Sequence, residues 1–398
     1  MTSELPLEIL SDSLRLSRKL CASKWLDREH EVSRAGLEKQ LSHSEVTETL
    51  GLEHIWIWSV CSLDKSSSVI LQGNNGHIVV DGFQLRALSR VMSSIALRAG
   101  SKAAECELLA LMAEEFLRVD DVETARLCMK YASRGLKEHP EAFAMVQIEP
   151  VVRFLHHIQR LFVLGHELGH LMLDSPNTKI DLSAFGEHME TRLRDLQQEL
   201  QELRDVQSGL REQGVEDEDQ DIIDSMRWNL VAGDAWFRDE LMCDGLSIEL
   251  LEHTTTEFAG VIEDRRLHIC EAIVATAMSL DILRLIRRFV SSRAELTEEG
   301  SLKALFDHHF IRSVHMSKLV HMKFGVTSQE IAPFLSRFEQ VFSGGPGGLR
   351  RMFGLVKIMP LLVGDGGQAQ NTAEDRRKLE AEFGWLFAPT AMRQTMIF

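Results

Sequence analysis

The sequence is poor in several features that would assign it to a specific class of protein. It contains one tyrosine, Tyr131, and six cysteines, none of which forms a CxxC pair. Isolated cysteines on apolar helical faces are typical of reduced core residues, so a disulfide framework is not expected. The glycine-rich stretch 343–354 lacks the GK[ST] signature, which excludes a phosphate-binding P-loop there.

Positive charge and long apolar runs are also scarce. The chain has 44 Lys and Arg against 60 Asp and Glu, a net charge of -16, which disfavours nucleic acid as a partner. Its most apolar late stretch, 267–290, is interrupted by charged residues, so it predicts a buried helix and no membrane span. The N-terminus shows no basic stretch before an apolar one, so no secretory signal is expected and a cytoplasmic location is predicted.

The length of 398 residues and a hydrophobic content of 44% predict a sizeable core in more than one structural unit. We predict N-terminal helices over 1–50 and a core over 51–343. Helical insertions are expected within that core at about 102–148 and 187–225. The last part, 344–398, combines a flexible glycine-rich segment with a C-terminal helix.

One region of the otherwise helical pattern is rich in β-strand residues. Three segments, His54–Cys61, Ser68–Gln72 and His77–Asp81, alternate or run apolar, with turn signals at 64–67 and 73–76 between them. They predict a three-stranded antiparallel meander. The fold class expected from the whole pattern is α+β, predominantly helical, with a small antiparallel sheet.

The most informative segment is LFVLGHELGHLMLD, residues 161–174, which contains the pattern HExxH. Residues four apart on a helix lie one turn above each other, so His166 and His170 can converge on a single metal ion. Glu167 lies beside them, where a carboxylate can act as the general base for a metal-activated water. The remaining residues of 161–173 are apolar or Gly, so the three polar groups need a partner such as a metal.

A catalytic zinc site requires a third protein ligand. Glu240 and Asp244 are four apart on a later helix, on a face that is otherwise small or apolar. Two carboxylates buried together require a nearby cation. Glu240 is therefore the predicted third ligand, and Asp244 is predicted to accept a hydrogen bond that orients the ring of His166.

Other residues remain candidates for the third metal ligand. Glu190 follows His170 by 20 residues, but its segment, 187–213, is dense in Arg, Asp, Glu and Gln, which favours a solvated helix. The remaining alternatives are His188, Glu249, His253 and Cys243.

A histidine-rich and cationic segment, DHHFIRSVHMSKLVH, occupies 307–321. Zinc peptidases commonly use a His, Tyr or Arg to bind the oxyanion of the tetrahedral intermediate. Because Tyr131 is the only tyrosine, the candidates for this catalytic role are His308 or His309 with Arg312. The alternative is a surface helix with ordinary polar residues.

The HExxH of 166–170 followed by the ExxxD of 240–244 resembles the gluzincin branch of the zincin metallopeptidases. The metzincin extension is absent, because Leu173 and Pro176 occupy its Gly and third His positions. Within the gluzincins, the chain more closely resembles the soluble group that includes the phage-exclusion (Lit-type) peptidases than the relatives that carry membrane spans. The resemblance implies a zincin-like core, with the sheet above the active-site helix, and a Zn²⁺ cofactor held partly by glutamate.

The function expected from these residues is that of a zinc metalloendopeptidase acting on a protein or peptide substrate. His166, His170 and Glu240 hold the metal, and Glu167 is the catalytic base. One alternative is a non-catalytic or latent zincin that binds a regulatory protein partner. Another is an esterase or amide hydrolase that uses the same zinc-activated water.

Overall fold

The computed structural model describes residues 44–60, 67–96, 101–138, 150–212, 235–254, 264–291, 312, 315–341 and 356. The helices predicted before 44, His308, His309 and nearly all of 344–398 lie outside the described residues. Within them the protein is mostly helical with one small mixed sheet, so the expectation of a predominantly helical α+β protein is confirmed. None of the helices described is long and apolar enough to cross a membrane.

The labelled elements follow one another along the described part of the chain, and residues 315–324 are also helical. They are α1 (Ser44–Leu50), β1 (His54–Val60), β2 (Ser68–Gln72), β3 (Asn75–Asp81), α2 (Gly82–Ala96), α3 (Ser101–Arg118), α4 (Val122–Glu138), α5 (Pro150–Asp174), α6 (Ser183–Glu212), α7 (Ala235–Thr254), α8 (Arg265–Ser291) and α9 (Ser328–Val341).

The three predicted strands are present, but the prediction of an antiparallel meander is wrong. The order of strands in the sheet is β1-β3-β2, with β1 parallel to β3 and β2 antiparallel to it. A tight turn through Gly73, whose φ is +60°, joins β2 to β3 as expected for a hairpin. Val60 pairs with Asp81 and Ser68 with Val79, so β1 ends and β2 begins at the same end of β3.

The central position of β3 follows from its composition. Ile78, Val79 and Val80 are each at most 3% exposed, which requires cover on both faces of the strand. In β1, by contrast, buried Ile55 and Ile57 alternate with half-exposed residues, as in a strand with one wet face. Turn residues mark where the strands end but do not specify which strands are neighbours, and the apolar run in β3 is the signal that does.

Helix α5 lies at the centre of the described structure. It begins at Pro150, a residue well suited to the first helical turn, and it contacts β2, β3, α2, α7 and α8. Gly76 of β3 approaches it so closely that an added Cβ would lie 2.9 Å from a methyl group of Leu171. The sheet therefore packs beside the C-terminal half of α5, which is the half that carries the HExxH pattern.

Candidate metal centre

Two glycines allow α5 and α7 to cross at very short range. A Cβ at Gly165 would lie 2.6 Å from Oγ of Ser247, and one at Gly169 would lie 2.9 Å from the Cα of Cys243. The crossing is also bonded, because Ser247 Oγ donates to the carbonyl oxygen of Phe162 at 2.8 Å. Since each glycine directly precedes a histidine of the motif, the close approach brings the carboxylates of α7 to those histidines.

The structure brings His166, His170 and Glu240 together into one cluster. Nε2 of His166 lies 3.7 Å from Oε2 of Glu240, and Nε2 of His170 lies 3.6 Å from Oε1. The two imidazole rings are 4.9 Å apart at an interplanar angle of 81°. Tetrahedral zinc with bonds of about 2.0–2.1 Å places its ligand atoms about 3.4 Å apart. The ligand atoms of these three residues all lie within 4.8 Å of one another, so they could hold a metal ion after moving closer together.

Asp244 contacts this cluster through the ring of His166. Its Oδ1 lies 2.8 Å from Nδ1 of His166, so a proton on Nδ1 makes the ring a donor to Asp244 and leaves Nε2 facing Glu240. Arg312 donates to the same carboxylate through Nε at 2.6 Å and through Nη2 at 2.8 Å. Burial tends to raise the pKa of Asp244, but the charge of Arg312 and the bond to His166 outweigh it, so the pKa is lowered.

Glu240 is held ionised by its surroundings. Burial works to raise its pKa, but the hydrogen bond with His170 and the charge of Arg312 hold that pKa far below the usual range. Arg312 Nη1 and Arg284 Nη2 each lie 3.1 Å from its Oε2. The bond to Glu240 likewise raises the pKa of His170. A negative oxygen atom is thus available between the two imidazoles.

Glu167 has a different electrostatic environment from Glu240, although both are buried. Burial raises the pKa of Glu167, and the nearby His166 and His170 only partly offset that effect. A carboxyl group whose pKa lies above its ordinary value binds a proton more readily. This is the behaviour required of a general base that must accept a proton and then release it.

The described residues favour none of the alternative ligands. Glu190 is exposed and lies 3.7 Å from Arg238, and Glu249 is paired with Lys323 at 2.6 Å. His188 is exposed on α6, while the side chain of His253 lies outside the described residues. Cys243 is buried, and burial raises the pKa of its thiol far above the usual range, which disfavours a metal-binding thiolate.

Arg312, a predicted oxyanion-binding residue, is at the site. It is buried against Asp244 and Glu240, and no part of 307–311 is described.

Sequence reasoning missed Arg284, which reaches Glu240 from α8, because no pattern links these two positions in the chain. It also missed the role of Gly165 and Gly169. Their spacing of four is a known signal for helices that approach closely, and it is visible in the sequence.

No family model, curated protein or solved structure matches this chain. The donor set of the site, two imidazoles and one carboxylate, is the set that a three-ligand metal centre uses, with a fourth position left for water or substrate.

Proposed function

We propose that this protein is a zinc metallopeptidase of the gluzincin type, which hydrolyses peptide bonds in a protein substrate. The observation that carries the proposal is the convergence of His166, His170 and Glu240 beside the buried carboxyl group of Glu167. Two imidazoles with one carboxylate suit Zn²⁺ better than Mg²⁺ or Ca²⁺, which prefer sites made entirely of oxygen ligands. The proposal includes a zincin-like core, with the sheet beside the motif helix.

Each residue of the proposed site has a separate role in hydrolysis. Bound zinc supplies Lewis acidity, which acidifies water and polarises the scissile carbonyl group. Glu167 takes the proton of the attacking water and passes it to the leaving amine. Asp244 keeps Nε2 of His166 directed at the site, and Arg312 keeps Asp244 ionised.

A strand edge beside the motif helix favours a peptide substrate over a small ester. In the described sheet β2 pairs with β3 on one side only, and β2 also contacts α5. The backbone groups on the other side of an edge strand can hydrogen-bond an extended peptide. Val69, Ile70 and Leu71 of β2 are half-buried, so they offer apolar contacts to the side chains of such a peptide.

The first test is the metal content of the purified protein by elemental mass spectrometry. We expect one equivalent of zinc in the wild type and none in His166→Ala or Glu240→Ala. Glu190→Ala is the matched control, because that glutamate is exposed and lies on α6, and it is expected to keep its zinc. Circular dichroism verifies that each variant is folded.

Turnover is then measured on the zinc-loaded protein with denatured casein and a mixed peptide library, and new N-termini are identified by mass spectrometry. Cleavage that disappears on chelation and returns with zinc supports the peptidase. A folded wild type that takes up no zinc after reconstitution contradicts the metal site. Full zinc occupancy without cleavage would instead favour the non-catalytic scaffold.

A further inference from the structure

Two arginines from different parts of the chain reach the same oxygen atom of Glu240. Arg312 Nη1 and Arg284 Nη2 both lie 3.1 Å from Oε2. A peptidase site needs a cation or hydrogen-bond donor for the negative charge that develops on the substrate's carbonyl oxygen. The surroundings of the two arginines differ enough to decide which of them can meet a substrate.

Arg312 is committed to the protein interior. Its side chain is 2% exposed, and its Nε and Nη2 atoms both bond to Asp244. Drawing it away would leave the carboxylate of Asp244 buried with much of its charge uncompensated, which is strongly unfavourable for a buried pair. Arg312 is therefore held in place behind Glu240.

Arg284 lies on the open side of the cluster. Its side chain is 35% exposed, compared with 8% for the carboxylate of Glu240 that it contacts. Arg284 thus lies beside the proposed ligand Glu240 at a position that solvent reaches.

Tyr131 and His315 are not suited to this role. Tyr131 is 49% exposed on α4, a helix that packs on α3 and has no part in the cluster. His315 is buried, and burial lowers its pKa to about 4, so it carries no charge at neutral pH.

We infer that Arg284 binds the substrate's carbonyl oxygen as negative charge develops on it, a role that rests on the proposed peptidase function. A guanidinium group carries five N–H donors in one plane, which lets a single arginine serve a fixed carboxylate and an incoming oxygen together. Glu240 then has two functions, because it offers Oε1 to His170 and anchors Arg284 through Oε2, the oxygen that also faces His166.

The test compares Arg284→Ala and Arg284→Lys with Arg287→Ala. Arg287 is a suitable control, because it lies one turn further along α8, is 29% exposed and pairs with Glu115. Zinc content is measured first. Isothermal titration of each zinc-loaded protein with inorganic phosphate, a tetrahedral oxyanion, then reports anion binding without any need for turnover. Cleavage of the peptide library is measured last.

We expect Arg284→Ala to keep one equivalent of zinc, to bind phosphate at least about tenfold more weakly and to lose about 10²–10³ in kcat. Arg284→Lys should recover part of both losses, and Arg287→Ala should match the wild type. Unchanged phosphate binding in zinc-loaded Arg284→Ala would overturn the inference. Loss of zinc from Arg284→Ala would overturn it as well, since Arg284 would then only support Glu240. A wild type without zinc would show that the peptidase proposal itself has failed.

Discussion

Nδ1 of His166 lies 2.8 Å from Oδ1 of Asp244, although the two residues are 78 positions apart in the chain. The contact joins the motif helix α5 to α7 and determines which nitrogen of the ring faces Glu240. Because Arg312 bonds to the same carboxylate, three distant segments meet at one fully buried aspartate. Substitutions at this aspartate and at the residues near it should therefore change metal binding.

Asp244→Asn is expected to weaken zinc binding by about 10–100-fold, because an amide cannot hold the His166 ring as firmly and leaves Arg312 without its full counter-charge. A competition titration against a chelating dye measures this effect. Asp239→Asn, an exposed change on the same helix, should bind zinc like the wild type. Equal zinc affinity in folded Asp244→Asn and Asp239→Asn would show that the contact does not orient the ligand.

Glu167→Gln is expected to keep zinc and to lower kcat by at least about 100-fold, since an amide cannot accept the proton of the attacking water. Elemental analysis and the peptide-library assay are run on the same preparation. Glu187→Gln, an exposed substitution on α6, is the control. Turnover within a few fold of the wild type would remove Glu167 from the mechanism.

Gly169→Ala is expected to destabilise the protein by about 1–3 kcal/mol and to weaken zinc binding, because the new methyl group would meet the α7 backbone at 2.9 Å. Gly186→Ala is the matched control in another helix, where the nearest atom is a methionine methyl group at 3.8 Å. That change should leave stability the same or raise it by up to about 1 kcal/mol. Urea denaturation of both variants gives the comparison, and equal stabilities would contradict the close crossing.

His315 predicts a specific loss of stability in acid. Its buried Nε2 has no hydrogen-bond partner in the part of the chain that the structure describes, and burial lowers its pKa from 6.5 to about 4. Above pH 6.5 the ring is neutral in both states and contributes nothing. As the pH falls from 6.5 to about 4, this histidine binds a proton in the unfolded chain but stays neutral in the folded protein. The free energy of unfolding therefore falls.

The corresponding variant is His315→Leu, which removes the titrating group from a buried position. A pKa difference of about 2.5 corresponds to about 3 kcal/mol, so the variant should gain up to about that much relative to wild type at pH 4. The two proteins are compared by urea denaturation at pH 7.5 and at pH 4.5. A stability difference between them that does not change with pH would contradict the assignment.

The local part of the site could be predicted from the sequence, because it depends on helical spacing alone. Residues four apart on a helix lie on the same face. This holds for His166 and His170, and also for Glu240 and Asp244. That the two helices meet was an inference from charge, since four buried polar groups need one another or a cation. Both steps use only the chemistry of residues close in sequence.

The rest depends on packing between distant segments, which leaves no periodic trace in the chain. The bonds of Arg312 to Asp244 and of Arg284 to Glu240 join residues that are 68 and 44 positions apart in the chain. The prediction of the strand order is wrong for a similar reason. Turn signals locate the turn at Gly73, but they do not determine which strand pairs with β1. Only the continuous apolar run of β3 carried that information.

The pairing of two arginines with two carboxylates also affects the order of events after synthesis. Arg284 and Arg312 together neutralise Glu240 and Asp244, so the core closes around a balanced set of charges before any metal arrives. A zinc finger, by contrast, stays unfolded until its ion binds. We expect this chain to fold first and to take up metal afterwards, so a cell could hold the folded protein without its ion, and the proposed activity would follow the supply of that ion.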